Sequence, residues 1–219
     1  MPSVLSQNTK PYPGRFIAFE GIEGSGKSSQ QRLAAEALGK RDIALHVTAE
    51  PGGTGLGVHL RRLVLHSEDT VPTPRAELFL YLADRAQHVE QVILPQLEAG
   101  RVVLCDRFTA STLAYQGYGR GLDLDAVERA ESWARGGLTP DLTLLLDCPV
   151  SVGLERASGP DRFHAETVAF HERVRAGFLA LAERQRDTWR VIDSTRPQAE
   201  VHEAVMRAIE GCLTGRASA

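Results

Sequence analysis

Cysteine is scarce in this 219-residue chain: Cys105, Cys148 and Cys212 are its only three. An odd number with no C-x-x-C spacing argues against a disulfide framework and against a zinc site, so buried reduced thiols of a cytoplasmic protein are expected. Apolar runs of 18 residues are missing, and no segment is expected to span a membrane. The stretch MPSVLSQNTKPYPG lacks a basic region leading into an apolar one. It reads as a short mobile arm, residues 1–14, rather than a secretion signal. Neither sign of charge dominates: 25 Lys and Arg against 28 Asp and Glu leave a net charge of −3. Without clustered basic residues there is no nucleic-acid or anionic-membrane footprint. Internal repeats and low-complexity tracts are also absent. What remains is ordinary for a globular protein, 42% apolar and 24% charged, enough for one domain over residues 15–213.

Apolar runs of strand length alternate with helical patterns. RFIAFE (15–20), IALHVT (43–48), RVVLCD (101–106), LTLLLD (142–147) and WRVID (189–193) read as strands. Between them the spacing predicts helices from Ser28 to Gly39, with Leu33, Ala34, Ala37 and Leu38 on one face, and from the EPGGTGLG loop to about Leu65. A long helix follows from Pro74, with Thr73 as N-cap and Leu78, Leu82, Val89 and Ile93 on one stripe; Pro95 either kinks it or starts a separate turn. Asp123 or Asp125 can cap a helix running to Gly136–Gly137. Further helices are predicted from Val150, up to about Arg186, and from Gln198 to Cys212. Apolar strands separated by helices imply a three-layer α/β sandwich, a parallel sheet covered on both faces.

The stretch FEGIEGSGKSSQ carries the first chemistry. Gly21-Ile-Glu-Gly-Ser-Gly-Lys27-Ser28 fits G-x-x-x-x-G-K-[ST], with a strand before it and a helix after it, the context this loop needs. Its glycines, Gly21, Gly24 and Gly26, let backbone N–H groups turn inward around an anion, beside Ser25 and the positive end of the helix. Lys27 can reach the β and γ phosphates of ATP, and the Ser28 hydroxyl can ligate Mg²⁺. Ser29 reads as a first-turn residue at the margin. Glu23 is an acid inside an anion-binding loop: it either points to solvent or acts on something across the loop.

No N-K-x-D tetrapeptide is present for guanine, which turns the reading from a switch towards a phosphoryl donor site. The third strand ends in CDRF, where Asp106 is delivered towards Mg²⁺ and Arg107 towards a second phosphate. RASGPDR, with Arg156 and Arg162 at its margins, reads as the start of a lid over about 156–166 that excludes water and supplies charge. Transfer to a monophosphate needs no general base, because the acceptor is already largely a dianion at neutral pH.

Together FEGIEGSGKSSQ, EPGGT, YLADRAQHV, DRFTASTLAYQG, PDLTLLLD and FHERVRAGF resemble bacterial thymidylate kinases, in order and spacing, over about residues 15–210. The resemblance implies a P-loop kinase fold with a five-stranded parallel sheet, a homodimer formed through helices, and ATP and dTMP as substrates with Mg²⁺. It implies a dTMP pocket of Glu50, Tyr81 stacked on thymine, Arg85 at the thymine carbonyl, Ser111 and Thr112 by the base edge, and Tyr115 under the deoxyribose with Gln116 beside it. Arg107 resembles the acceptor-phosphate clamp. Glu23 is implied at the sugar hydroxyl or the Mg²⁺ water shell. The chain departs from the family at Ala49, where arginine is frequent, at Phe108, and in the lid, where Asp161-Arg162-Phe163-His164 lacks a glutamate. The catalytic lid arginine is then Arg156 or Arg162, with Arg173 and Arg175 next in line. Two other readings compete: a kinase of another monophosphate or of a deoxynucleoside, and a non-enzymatic ATP sensor. Tyr81 and Tyr115 also fit plain core positions.

Overall fold

The computed structural model describes residues 12–65, 71–157, 162–163 and 165–215. Most of the expected arm, and residues 158–161 and 164 of the expected lid, with Asp161 and His164, lie outside them. Five parallel strands form one sheet in the order β2-β3-β1-β4-β5: β1 Arg15–Glu20, β2 Leu45–Ala49, β3 Val102–Asp106, β4 Leu142–Asp147 and β5 Trp189–Asp193. The three-layer reading holds. β1 alternates its apolar residues between two cores. Ile17 and Phe19 pack with Ala34, Leu38, Val205 and Ile209, whereas Phe16 and Ala18 pack with Val89, Ile93 and Leu97. The first core lies under α1 (Lys27–Gly39) and α9 (Gln198–Thr214).

On the opposite face run α2 (Gly55–Leu65), α3 (Pro74–His88) and the short α4 (Leu94–Glu98). Pro95 sits in the first turn of α4, and a π-helical turn, Val89–Ile93, joins that helix to α3. The proline therefore begins a separate piece, and the wider turn ahead of it takes up the missing N–H and the ring's bulk. Leu78, Leu82, Val89 and Ile93 are all buried, as their stripe predicts.

Register aligns the carboxyl ends of the three neighbouring strands. Asp106 pairs with Phe19 on one side and Ala49 on the other. The bonds continue beyond the strands, with Glu50 N donating to Asp106 O at 2.9 Å and Arg107 N to Phe19 O at 2.9 Å. Glu20, Glu50 and Arg107 thus arrive at one level, outside the carboxyl ends where open parallel sheets bind ligands.

Three local features differ from the sequence reading. In α1 the inward residues include Gln30 and Gln31, while Leu33 and Ala37 are only half-buried. Gln31 Nε2 donates to the Thr48 and Leu104 carbonyls at 2.8 and 2.9 Å, so this buried amide is held by β2 and β3. Cys105 and Cys148 are buried, but Cys212 is only partly so. The third is an added element: residues 109–119 form α5 (Thr109–Thr112) running into a π-helical stretch, Leu113–Gly119.

After it come α6 (Leu124–Ala134), capped by Asp123 accepting from Ala126 N at 2.7 Å, α7 (Val150–Arg156) and α8 (Val168–Arg184). The 113–119 stretch and α8 lie close. A Cβ on Gly177 would meet the Tyr118 ring at 2.7 Å, and one on Gly119 would meet Phe170 at 2.7 Å.

Candidate active site

The loop between β1 and α1 encloses its own lysine. Gly26 has φ 92° at the helix N-cap, a left-handed conformation that glycine adopts without strain. A Cβ on Gly24 would collide with the Gly153 carbonyl of α7. Lys27 is buried, and its ammonium donates to Ile22 O at 2.7 Å. Burial, helped by the Arg107 charge, draws its pKa down to about 8, against the pull of Asp106 and Glu23. Such an ammonium is suited to a further counter-charge, which a polyphosphate could supply.

Two cavities share this loop. The larger, about 510 Å³, runs along Gly24–Gln30 to Arg156, Ser194, Arg196, Gln198 and Val201. Gly21, the remaining loop glycine, has φ 142° and its Cα faces the Leu146 carbonyl. Ser29 is exposed on the cavity wall. The smaller, about 230 Å³, is lined by Glu50, Tyr81, Arg85, Arg107, Ser111, Thr112, Tyr115 and Gln116 among others. Glu23, Gly24, Lys27 and Ser28 belong to both walls.

At the seam, Ser28 Oγ donates to Asp106 Oδ2 at 2.5 Å. A hydroxyl and a carboxylate side by side are hard oxygen donors, and they fit Mg²⁺, which binds through one or two protein oxygens plus phosphates and water. Glu23 is turned the other way. Arg107 NH2 donates to its Oε1 at 3.0 Å, and the Tyr115 hydroxyl lies 2.7 Å from both of its oxygens. Burial alone would raise the Glu23 carboxyl, but Arg107, Lys27 and the Tyr115 bond hold it below its ordinary value.

Arg107 is held in a left-handed backbone conformation, φ 70°, rare for a side-chain-bearing residue and costly by about 1–2 kcal/mol. The bend aims its guanidinium at Gly21 O (3.1 Å), Ser111 Oγ (3.0 Å) and Glu23. Ser111 is braced by Glu20, whose Oε2 accepts from its hydroxyl at 2.6 Å and whose Oε1 accepts from Phe108 N at 2.8 Å. Burial pushes that glutamate up to about 7 despite these bonds and the Arg107 charge.

Arg85 sits deeper, 2% exposed, and contacts Glu50 at 2.7 Å, the Thr112 hydroxyl at 2.8 Å, and Glu131. Burial works against its charge, yet the two carboxylates outweigh that and raise its pKa. His88 Nδ1 lies 2.8 Å from Glu50 Oε1, fixing that carboxylate from its other side. Gln116 Nε2 donates to the fully buried Glu77 at 2.7 Å. The two arginines expected in the lid part company. Arg156 donates to Ser194 O at 2.9 Å on the larger cavity, whereas Arg162 pairs with Glu77 and brings Phe163 onto the smaller one. Arg173 donates to Gly119 O at 2.9 Å and Arg175 forks onto Asp147 at 2.8 Å, so neither turns to the shared loop.

Several site residues escaped the sequence reading. Ser194, Arg196 and Gln198 follow β5, and the DSTRPQ turn at that strand's carboxyl end was the available signal. Glu20, Glu77 and Glu131 carried no signal, because a buried carboxylate is recognised only by its tertiary partners.

The sequence and the fold have known counterparts. The family profile described as "Thymidylate kinase" matches residues 19–205. The chain is 50% identical to a thymidylate kinase of Thermosynechococcus vestitus, covering 94% of this chain and 90% of that one. It is 51% identical to a thymidylate kinase of Desulfovibrio desulfuricans, covering 92% and 97%. Among solved structures, thymidylate kinase from Ehrlichia chaffeensis superposes with a TM-score of 0.75 at 31% identity, over 90% of this chain and 98% of that one.

Proposed function

The chain belongs to the thymidylate kinase family and phosphorylates dTMP to dTDP with ATP in dTTP biosynthesis, and on that premise we propose that the γ-phosphoryl passes in line across the Glu23–Ser28 loop. The observation that carries this is the shared wall: the same four residues line both cavities, so donor and acceptor phosphates meet there without an enzyme-bound intermediate.

ATP takes the larger cavity, with its phosphates on Gly21–Ser29 and its base towards Arg196 and Gln198. Lys27 neutralises charge on the β and γ phosphates, and Arg156 adds a second cation from α7. Ser28 and Asp106 would hold Mg²⁺, which neutralises the β and γ oxygens when bound. The dTMP phosphate is gripped by Arg107, beside Ser111. Thymine lies against Tyr81, within reach of Arg85, Thr112 and Gln116; Glu50 and Glu131 keep the Arg85 fork in place. Tyr115 packs under the deoxyribose, where a 2′-hydroxyl would clash. The Arg162–Glu77 pair supports a role for Arg162 over the acceptor cavity, leaving Arg156 as the lid arginine on the donor side. A homodimer is part of this reading, supported by exposed Leu56 and Leu63 on α2 and Phe79 on α3. A cytoplasmic location is part of this reading, supported by the nucleotide substrates.

The test is ADP release by the purified protein with Mg-ATP and dTMP, dUMP, UMP, dCMP, CMP, AMP, dGMP, GMP or thymidine. Strong preference for dTMP is expected. Equal turnover of another monophosphate would discard the thymine pocket, and ATP binding without acceptor-dependent ADP would favour a sensor. In the same assay, Tyr115→Ala is expected to reduce discrimination against ribose monophosphates by about tenfold, the scale of one lost packing contact. Unchanged discrimination would mean that the sugar is read elsewhere.

A further inference from the structure

Neither ring nitrogen of His171 has a hydrogen-bond partner among the described residues, although the side chain is only 1% exposed. A buried imidazole left unpaired in this way calls for a reason. Its Nδ1 lies 3.6 Å from Glu23 Oε2, just beyond bonding reach. α8 holds it there beside Phe170, whose ring meets the imidazole edge-on at 5.5 Å between centroids. The glutamate is already bonded to Arg107 through Oε1 and to Tyr115, whose hydroxyl lies 2.7 Å from both carboxylate oxygens.

That commitment conflicts with catalysis. Arg107 cannot give the same N–H to Glu23 and to an acceptor phosphate. A phosphate dianion drawn to Arg107 also brings like charge against the Glu23 carboxylate, at short range in a partly dry site. The carboxylate must shift, and it needs another donor within the wall. Tyr115 alone stays on the phosphate side. An unused donor stands beside the carboxylate in His171, less than about 1 Å outside ordinary hydrogen-bond distance.

Resting on the reading of Arg107 as the acceptor-phosphate clamp, we propose that His171 is a positioning residue. Its Nδ1–H receives the Glu23 carboxylate when a phosphate claims Arg107, so the glutamate changes partner instead of contesting the clamp. The step is an exchange of hydrogen bonds with no proton transferred. Its effect falls on acceptor binding: without the second donor, Glu23 keeps competing for Arg107, and dTMP binds more weakly while ATP is unaffected.

The test is steady-state kinetics on the full-length protein with dTMP and ATP varied separately. His171→Phe keeps an aromatic ring in the same packing and removes the donor. It is expected to raise KM for dTMP about tenfold, the scale of one hydrogen bond to a charged group, with kcat and KM for ATP within about twofold. His171→Asn carries an amide N–H near the Nδ1 position and should restore most of the dTMP affinity. His171→Gln, whose amide reaches the Nε2 position, should resemble His171→Phe and replaces it should that variant fail to fold. An unchanged KM for dTMP in the donor-less variants overturns the proposal. So does equal loss in His171→Asn, since His171 then contributes packing alone. Arg107→Ala, measured alongside, separates the two layers. If its KM for dTMP is unchanged, the clamp reading fails and this inference with it. If Arg107→Ala raises KM and His171→Phe does not, only the role of His171 fails.

Discussion

Lys27→Ala is expected to lower kcat by about 10³-fold or more, the scale of losing one preorganised donor to transition-state charge. The expectation comes from where the ammonium sits. It is buried at the seam of the two cavities, with the Ile22 carbonyl as its nearest partner at 2.7 Å. Desolvation has already pulled it to about 8, so its charge is held in place at a cost and is offset only when polyphosphate arrives. The same fact keeps the fold out of the result. Removing an under-compensated buried cation costs stability little, and thermal melting of the unliganded variant should stay within about 2 °C of the parent. Single-turnover measurement of dTDP formation checks the first part and calorimetry the second. A kcat within tenfold of the parent would remove Lys27 from the mechanism; a collapse of melting temperature would make any lost activity uninterpretable.

Arg107→Ala should lower kcat/KM for dTMP by about 10³-fold, with KM for dTMP raised and KM for ATP changed much less. Truncation removes the phosphate ligand and leaves Glu23 facing the acceptor site with Tyr115 as its remaining close donor, so attraction is replaced by repulsion. The backbone supplies a control. At φ 70° alanine remains strained, but glycine does not. Arg107→Gly should therefore be as inactive as Arg107→Ala yet more stable by about 1 kcal/mol. Equal stability of the two would mean that the bend carries no strain. Near-parental kcat/KM in both would dismiss the clamp.

What could be read before the fold was known divides along a physical line. The phosphate loop was legible because its contacts are contiguous: Gly21 to Ser28 is one turn between a strand and a helix. Asp106 and Arg107 were legible because an apolar strand ends there, and strand ends in parallel sheets face the ligand. The five strands were legible from their apolar runs, and the grouping of residues that line the smaller cavity only through resemblance to a family. Residues 109–119 were not, because α5 passes into a π-helical stretch that has no 3.6-residue period. Nor was the inward face of α1, where the Gln30 and Gln31 amides donate to carbonyls of distant segments. His171, in the FHERVRAGF segment, carries no local signal of its position behind Glu23. Charge and polarity buried by tertiary contacts leave no local pattern, and the candidate site is rich in them.

With donor and acceptor placed as proposed, the strip from Glu23 to Ser28 is their common boundary, and neither then has a private affinity. Whatever factor the donor imposes on acceptor binding is returned, unchanged, by the acceptor on the donor. An inhibitor built to fill the thymine side and draw on Arg107 will accordingly show a dissociation constant that depends on the nucleotide across the wall. Its potency is a property of the pair, and a value measured with the donor absent describes a different equilibrium from the one that operates during turnover.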